Sequence, residues 1–396
     1  MIGLNEKLQL LQKKVLQTDE PIRIMIIGLG SVGLYLLDYL LNIGDSRLEI
    51  IAVGRNCEKM QSDVNIVRTA AAIRRQMMAT VHIEANCNLE NVDEIAAVLK
   101  KWNPDFVVNS SRVYSGLKYG SISWSRLRAY GIWTPLSVRY ARNIMVAYEK
   151  AESHAIAINT SYSDAVIPWL RHSGLSYFDF GSGNLNHLIP RMKFYISEMF
   201  NINNVNDIDI SLAVSHFHDV VISKEGHAEG QDILLDVRYK GETLNFDKEE
   251  LLAACKIAMP VDQKRNMMNA SSNFDIINSI LKAIRERCRI RIHTPGVDGE
   301  IGGYPFVIDA ENLARGYVDE SIFSFDDMRK ANMASIYLDG IESVNETGLT
   351  YTDELLEKVQ KEFNVVLPKT VSLDESADVA AILINDIILP SVRETV

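Results

Sequence analysis

IRIMIIGLGSVG, at residues 22–33, is an apolar run of strand length that ends in Gly28, Gly30 and Gly33 and passes directly into the helical spacing of VGLYLLDYLLNIG. Each glycine of a G-x-G-x-x-G turn has its own task. The first makes the tight turn, the second lets backbone approach a pyrophosphate, and the third allows close helix–strand contact. The helix that follows presents unbonded N–H groups, here from Ser31, Val32 and Gly33, to phosphate oxygens. A dinucleotide is therefore expected across Gly28, Gly30, Ser31, Val32 and Gly33.

Outward from this loop, short apolar runs alternate with helical stretches. LEIIAVG (48–54), TVHIEA (80–85), DFVVNSS (105–111) and AIAINTS (155–161) predict buried strands, and NVDEIAAVLKKW (91–102) and SVRYARNIMVAYEK (137–150) predict helices. Strands alternating with helices imply a doubly wound parallel sheet. The expected organisation is a leading amphipathic helix at 1–20, for packing or oligomerisation, and a Rossmann dinucleotide-binding domain at 21–175. An α+β substrate and oligomerisation domain follows at 176–396. In it, LIPRMKFYISEMFN (188–201), 270–288 and 352–363 predict helices, whereas DIDISLAVSHFHDVVIS and DILLDVRYKG alternate as antiparallel strands do. That alternation puts His216 and His218 on one face of a strand.

The second strand ends in Gly54, Arg55 and Asn56, without the acidic residue that would hold both ribose hydroxyls of NAD. Arg55 can pair with a 2′-phosphate. NADP is thus the expected cofactor, with NAD the alternative. Asn109, Ser110 and Ser111 stand at the carboxyl end of the fourth strand, where ligands sit in open α/β sheets.

In order and spacing these landmarks resemble the lactate and malate dehydrogenase superfamily, a resemblance spanning roughly 22–363. It includes the glycine loop, the helix of Asp63, the strand and loop of 106–125, the helix of Asn143, INTSYSD at 158–164, Arg191, His216 and GGYPFVI at 302–308. The resemblance implies an NAD(P)-dependent dehydrogenase or reductase. Its substrate is a small 2-oxo or 2-hydroxy acid or an amino-acid-derived molecule. Arg112 or Arg126 would polarise the substrate carbonyl, Arg191 would clamp its carboxylate, and His216, or His218, would exchange the proton.

Two positions depart from that pattern. Leu188 stands where the superfamily has the aspartate that partners its histidine, so His216 is expected to lack a carboxylate, with His187 and Asn186 as partial substitutes. Thr160, Ser161 and Tyr162 replace an Asn-Pro turn. The departures bring in a second resemblance, to NAD-dependent family 4 glycosidases, through GSGNLNH (181–187) and SHFH (215–218), with His216 and Asn184 as metal-ligand candidates. No metal is assigned. A third alternative is a non-catalytic dinucleotide-binding protein.

Composition narrows the partners. The chain of 396 residues is 47% hydrophobic and 23% charged, and its 41 basic and 52 acidic residues leave a net charge of −11. Such a charge disfavours nucleic acid. Cys57, Cys87, Cys255 and Cys288 form no CxxC pair and fit a reducing cytoplasm. No run approaches the roughly 18 apolar residues of a membrane span. A small-molecule substrate and a homo-oligomer, dimer or tetramer, complete the expectations.

Overall fold

A computed structural model describes residues 2–114, 116–183, 185–260 and 262–393, with the side chains at 117, 118, 121 and 393 outside the description. Strands β1 (Ile22–Ile27), β2 (Leu48–Val53), β3 (Thr80–Glu84), β4 (Phe106–Asn109), β5 (Ile156–Asn159) and β6 (Phe180–Gly181) form one parallel sheet in the order β3-β2-β1-β4-β5-β6. The strand order reverses between β1 and β4, which opens a crevice at their carboxyl ends. The expected α/β class holds, with β6 lying past residue 175.

The rest of the chain packs on both faces of this sheet. On one face, the helices Ser31–Leu41, Cys57–Ile73 and Asn266–Glu286 share a core with the antiparallel strands Arg289–Pro295 and Gly303–Asp309. On the other, the helix Thr134–Lys150 meets the C-terminal segment, including Ile341, Tyr351, Leu355 and Leu383. A separate core forms where the helices Leu185–Met199 and His216–Glu225 pack on the antiparallel pair Ile208–Ala213 and Leu234–Tyr239.

The leading helix, Leu4–Gln17, buries Leu8, Leu11 and Val15 within the chain's own core. Lys7 Nζ, itself buried, meets the half-buried Asp179 carboxylate at 2.8 Å, and Asp179 also accepts the Ala157 N–H. This contact ties the helix to the sheet next to β5 and β6.

One predicted element has a different form. SHFHD is not strand: the chain leaves Ile208–Ala213 at Ser215 and enters the helix His216–Glu225, ended by Gly226 at φ +80°. Phe217 and Val221 are i,i+4 neighbours in the third core, a period that the short alternation concealed. Gly226 supplies the left-handed helix stop.

Candidate active site

The glycine loop forms one end of a cleft of about 670 Å³ lined by the ends of β1, β2, β4 and β5, the loop after β4, and parts of 182–187, 216–224 and 263–269. Gly28 has φ +94°, and a Cβ there would lie 2.8 Å from Ser111 Cα. At Gly33 a Cβ would stand 2.4 Å from the Gly28 carbonyl oxygen, so helix and turn touch through the missing side chain. At Gly30, by contrast, a Cβ would meet nothing within 4 Å, which leaves room in the cleft for a ligand. This division of labour fits a pyrophosphate at the start of the helix Ser31–Leu41.

Around the loop, Ser110 Oγ donates to the Gly28 carbonyl at 2.7 Å, and Ser31 Oγ accepts from Asn266 Nδ2 at 2.6 Å. Ser110, Ser111, Val32 and an exposed Arg55 line the cleft, as does Lys59 on the next helix. Asn109 has another place. It is 1% exposed, donates to Asn159 Oδ1 at 2.9 Å and accepts from Ser111, so it joins the ends of β4 and β5 beneath the cleft.

His216 lines the cleft at the first position of its helix, and the expectation that its ring lacks a carboxylate is overturned. Nδ1 is 2.8 Å from Oδ2 of Asp339, which is fully buried at the end of the helix Phe325–Leu338. Asp339 also accepts the Tyr162 hydroxyl at 2.6 Å and the Tyr130 N–H at 2.7 Å. The Tyr130 and Tyr162 rings stand edge-on to the imidazole, with centroids at 4.8 and 4.9 Å. Tyr162, in place of the Asn-Pro turn, holds the left-handed conformation, φ +46°, ahead of the helix Ser163–His172.

Electrostatics follow from this packing. Burial works against the charged imidazole, but Asp339, with Asp164 and Asp219 behind it, outweighs burial and raises the His216 pKa. Asp164, whose Oδ1 accepts the His216 N–H, is raised by burial to about 6 despite the nearby imidazole. With Nδ1 turned to Asp339, Nε2 is the ring nitrogen left for the cleft.

His218 is set apart from this chemistry. Its ring nitrogens pair with Ser335 Oγ at 2.7 Å and the Ala228 carbonyl at 3.2 Å, and it does not line the cleft. Of the two loop arginines, Arg112 lines the cleft, whereas Arg126 lies over the Phe363 ring, 5.6 Å from its centroid. The loop is fastened to the His216 helix by Arg128 and Trp124, both bonded to Glu225.

Arg191 does not reach the cleft. It is 4% exposed and donates to the Cys255 carbonyl at 3.2 Å, a bond that holds the end of the short helix Lys248–Ala254. Arg265, which sequence reasoning missed, lines the cleft with no hydrogen bond or ion pair from its side chain among the described residues. Its one sequence signal is a basic turn, QKR, ahead of a long helix. Leu188 is buried core.

Asn184 lies outside the described residues. Among those described, the His/Cys/Asp/Glu group whose donor atoms could share a metal ion is Glu225, His227 and Glu229, and Arg128 already closes on both carboxylates. No helix among them is long and apolar enough to cross a membrane.

No protein family and no curated protein matches the sequence. Among solved structures, the chain is similar to malate dehydrogenase from Cryptosporidium parvum, with a TM-score of 0.52 and 14% identity over 81% of this chain and 98% of the other. Malate dehydrogenases from Aeropyrum pernix (TM-score 0.46, 16% identity, 80% and 97% covered) and Plasmodium falciparum in complex with NADH (0.47, 11%, 87% and 99%) are also similar. The chain thus has a lactate/malate dehydrogenase-like fold, as the landmarks implied.

Proposed function

We propose that this protein is an NAD(P)-dependent oxidoreductase that moves hydride to or from a small 2-oxo or 2-hydroxy acid or an amino-acid-derived substrate. The observation that carries this reading is one cleft joining the glycine loop to the buried His216–Asp339 pair. A homo-oligomer in the cytoplasm belongs to the same proposal.

A nicotinamide dinucleotide bound here would supply or accept the hydride. The first turn of the helix Ser31–Leu41 holds its pyrophosphate, and Gly30 leaves space for it. Arg55 and Lys59 offer positive charge where a 2′-phosphate lies. His216 holds at Nε2 the proton that the substrate oxygen gains on reduction and takes it back on oxidation, with Asp339 fixing the tautomer. Arg112 polarises the carbonyl, and Arg265 takes the carboxylate in place of the inward-turned Arg191. The non-catalytic alternative loses its main argument, because the carboxylate missing at Leu188 is supplied by Asp339.

The test mixes protein and NADPH with a panel of 2-oxo acids and follows the nicotinamide absorbance band. Consumption with at least one acid supports the proposal, and NADPH binding without turnover of any contradicts it. Metal-dependent release from aryl glycosides would favour the glycosidase alternative.

Two predictions concern the cofactor. Gly30→Val should weaken NADPH binding severely in a folded protein, since the open space at Gly30 is the pyrophosphate's; calorimetry showing unchanged affinity would sink the assignment. NADPH should bind more tightly than NADH by about 1.5–3 kcal/mol through a charge-assisted contact, a gap that Arg55→Ala should remove. Equal affinities in the unmodified protein would contradict the role of Arg55.

A further inference from the structure

Asp219 lies three positions after His216 on one helix, so the two side chains point to the same side, and both line the cleft. Asp219 is 4% exposed, and among the described residues its Oδ1 has no hydrogen-bond partner. Its Oδ2 is 3.8 Å from His187 Nδ1, too long for a hydrogen bond, and His187 Nε2 is also without a partner among the described residues. Among the described residues neither side chain braces a turn or a backbone group, so packing there gives no reason for this pair. Buried polar groups left unpaired in this way are uncommon and destabilising.

The chemistry of the pair selects what completes it. A carboxylate only accepts hydrogen bonds, and an imidazole that turns its Nδ1–H toward that carboxylate keeps Nε2 as a second acceptor. His187 does not supply the missing charge: burial, with Arg191 and Arg265 nearby, lowers its pKa to about 3. Two adjacent acceptors suit a group with several N–H donors and a positive charge. A hydroxyl has one donor, and a second carboxylate would be repelled.

We propose that Asp219, backed by His187, receives a primary ammonium group of the substrate, one helical turn beyond the carbon that exchanges hydride beside His216. The substrate is then an amino-bearing hydroxy or oxo acid, its carboxylate on Arg265. This inference rests on the oxidoreductase reading and narrows it.

A proton is linked to this binding. In the free cleft, burial raises the Asp219 pKa to about 7, opposed by His216, Arg191 and Arg265 and reinforced by Asp164. An ammonium favours the charged carboxylate, so binding near neutral pH releases a fraction of a proton.

The test is calorimetry on the NADPH-loaded protein with serine and homoserine, each paired with the analogue in which a hydroxyl replaces the amino group. The amino member should bind about 10-fold or more tightly, and its binding heat should vary with the ionisation heat of the buffer. Asp219→Asn should erase the preference. No preference, a preference untouched by Asp219→Asn, or no measurable binding of any amino member overturns the assignment. If the variant does not fold, the buffer dependence in the unmodified protein decides, and its absence overturns the inference. An amino preference without hydride transfer would remove the oxidoreductase reading and keep the Asp219 site. Turnover of hydroxy acids without that preference would do the reverse.

Discussion

His216→Asn should lower turnover by about 100- to 10,000-fold, the usual worth of a positioned acid–base group. NADPH affinity should stay nearly unchanged, because the glycine loop and Arg55 lie on the sheet domain. Asparagine removes the exchangeable proton at Nε2 while keeping a polar group beside Asp339. The parallel variant His218→Asn should leave turnover largely intact, since both of its ring nitrogens are already committed to Ser335 and Ala228. Steady-state rates and NADPH titrations on the two variants check this. Full activity in His216→Asn would end the histidine mechanism, and loss confined to His218→Asn would move it to the other ring.

Asp339→Asn should cost about as much, by a different route. The carboxylate takes three donors at once, from His216, Tyr162 and the Tyr130 N–H. An amide replaces one acceptor oxygen with a donor, so the imidazole is driven to carry its proton at Nε2 and loses the counter-charge for its cationic form. Turnover should fall by about 100-fold or more, with NADPH affinity kept. Thermal unfolding run beside the kinetics separates this from loss of fold. An Asp339→Asn protein with ordinary turnover would show that the pair does not govern the chemistry.

The parallel-sheet half of the molecule was legible because its signals are local. An apolar strand, three glycines at fixed spacing and an apolar-periodic helix lie within 22–44, and local sequence determines that geometry. The His216–Asp339 pair was half legible. His216 stood out by its place after Arg191, but its carboxylate is 123 residues farther along the chain, at a helix end next to Gly340, where nothing in the sequence marks it. The expected absence of a partner followed from looking for it only near Leu188.

Two further misreadings have the same origin. In SHFHDVVIS, period two and period 3.6 coincide over five residues, and Gly226, which closes the helix, lay beyond the window. Arg191 has the expected spacing, but the short helix ending near Cys255 gives its guanidinium an internal carbonyl, leaving the cleft to Arg265 from a distant turn. Asn109 sits at the correct strand end, yet its amide donates to Asn159 across the sheet and its oxygen accepts from Ser111, so its polar atoms are taken up by the protein. In each case, tertiary partners decide what a side chain at a suggestive position can do.

In the proposed mechanism the proton exchanged with the substrate resides on His216 and is held there by Asp339. The most direct measurement is the pH dependence of NADPH-linked reduction in the unmodified protein and in Asp339→Asn. Reduction needs the protonated imidazole, and the Asp339 carboxylate raises its pKa. Activity should therefore persist above the ordinary histidine midpoint of about 6.5 and fade only as pH rises through the raised value, while in Asp339→Asn the fade should move to lower pH. Superimposable profiles, or an unmodified protein whose activity already fades below that ordinary midpoint, would contradict it.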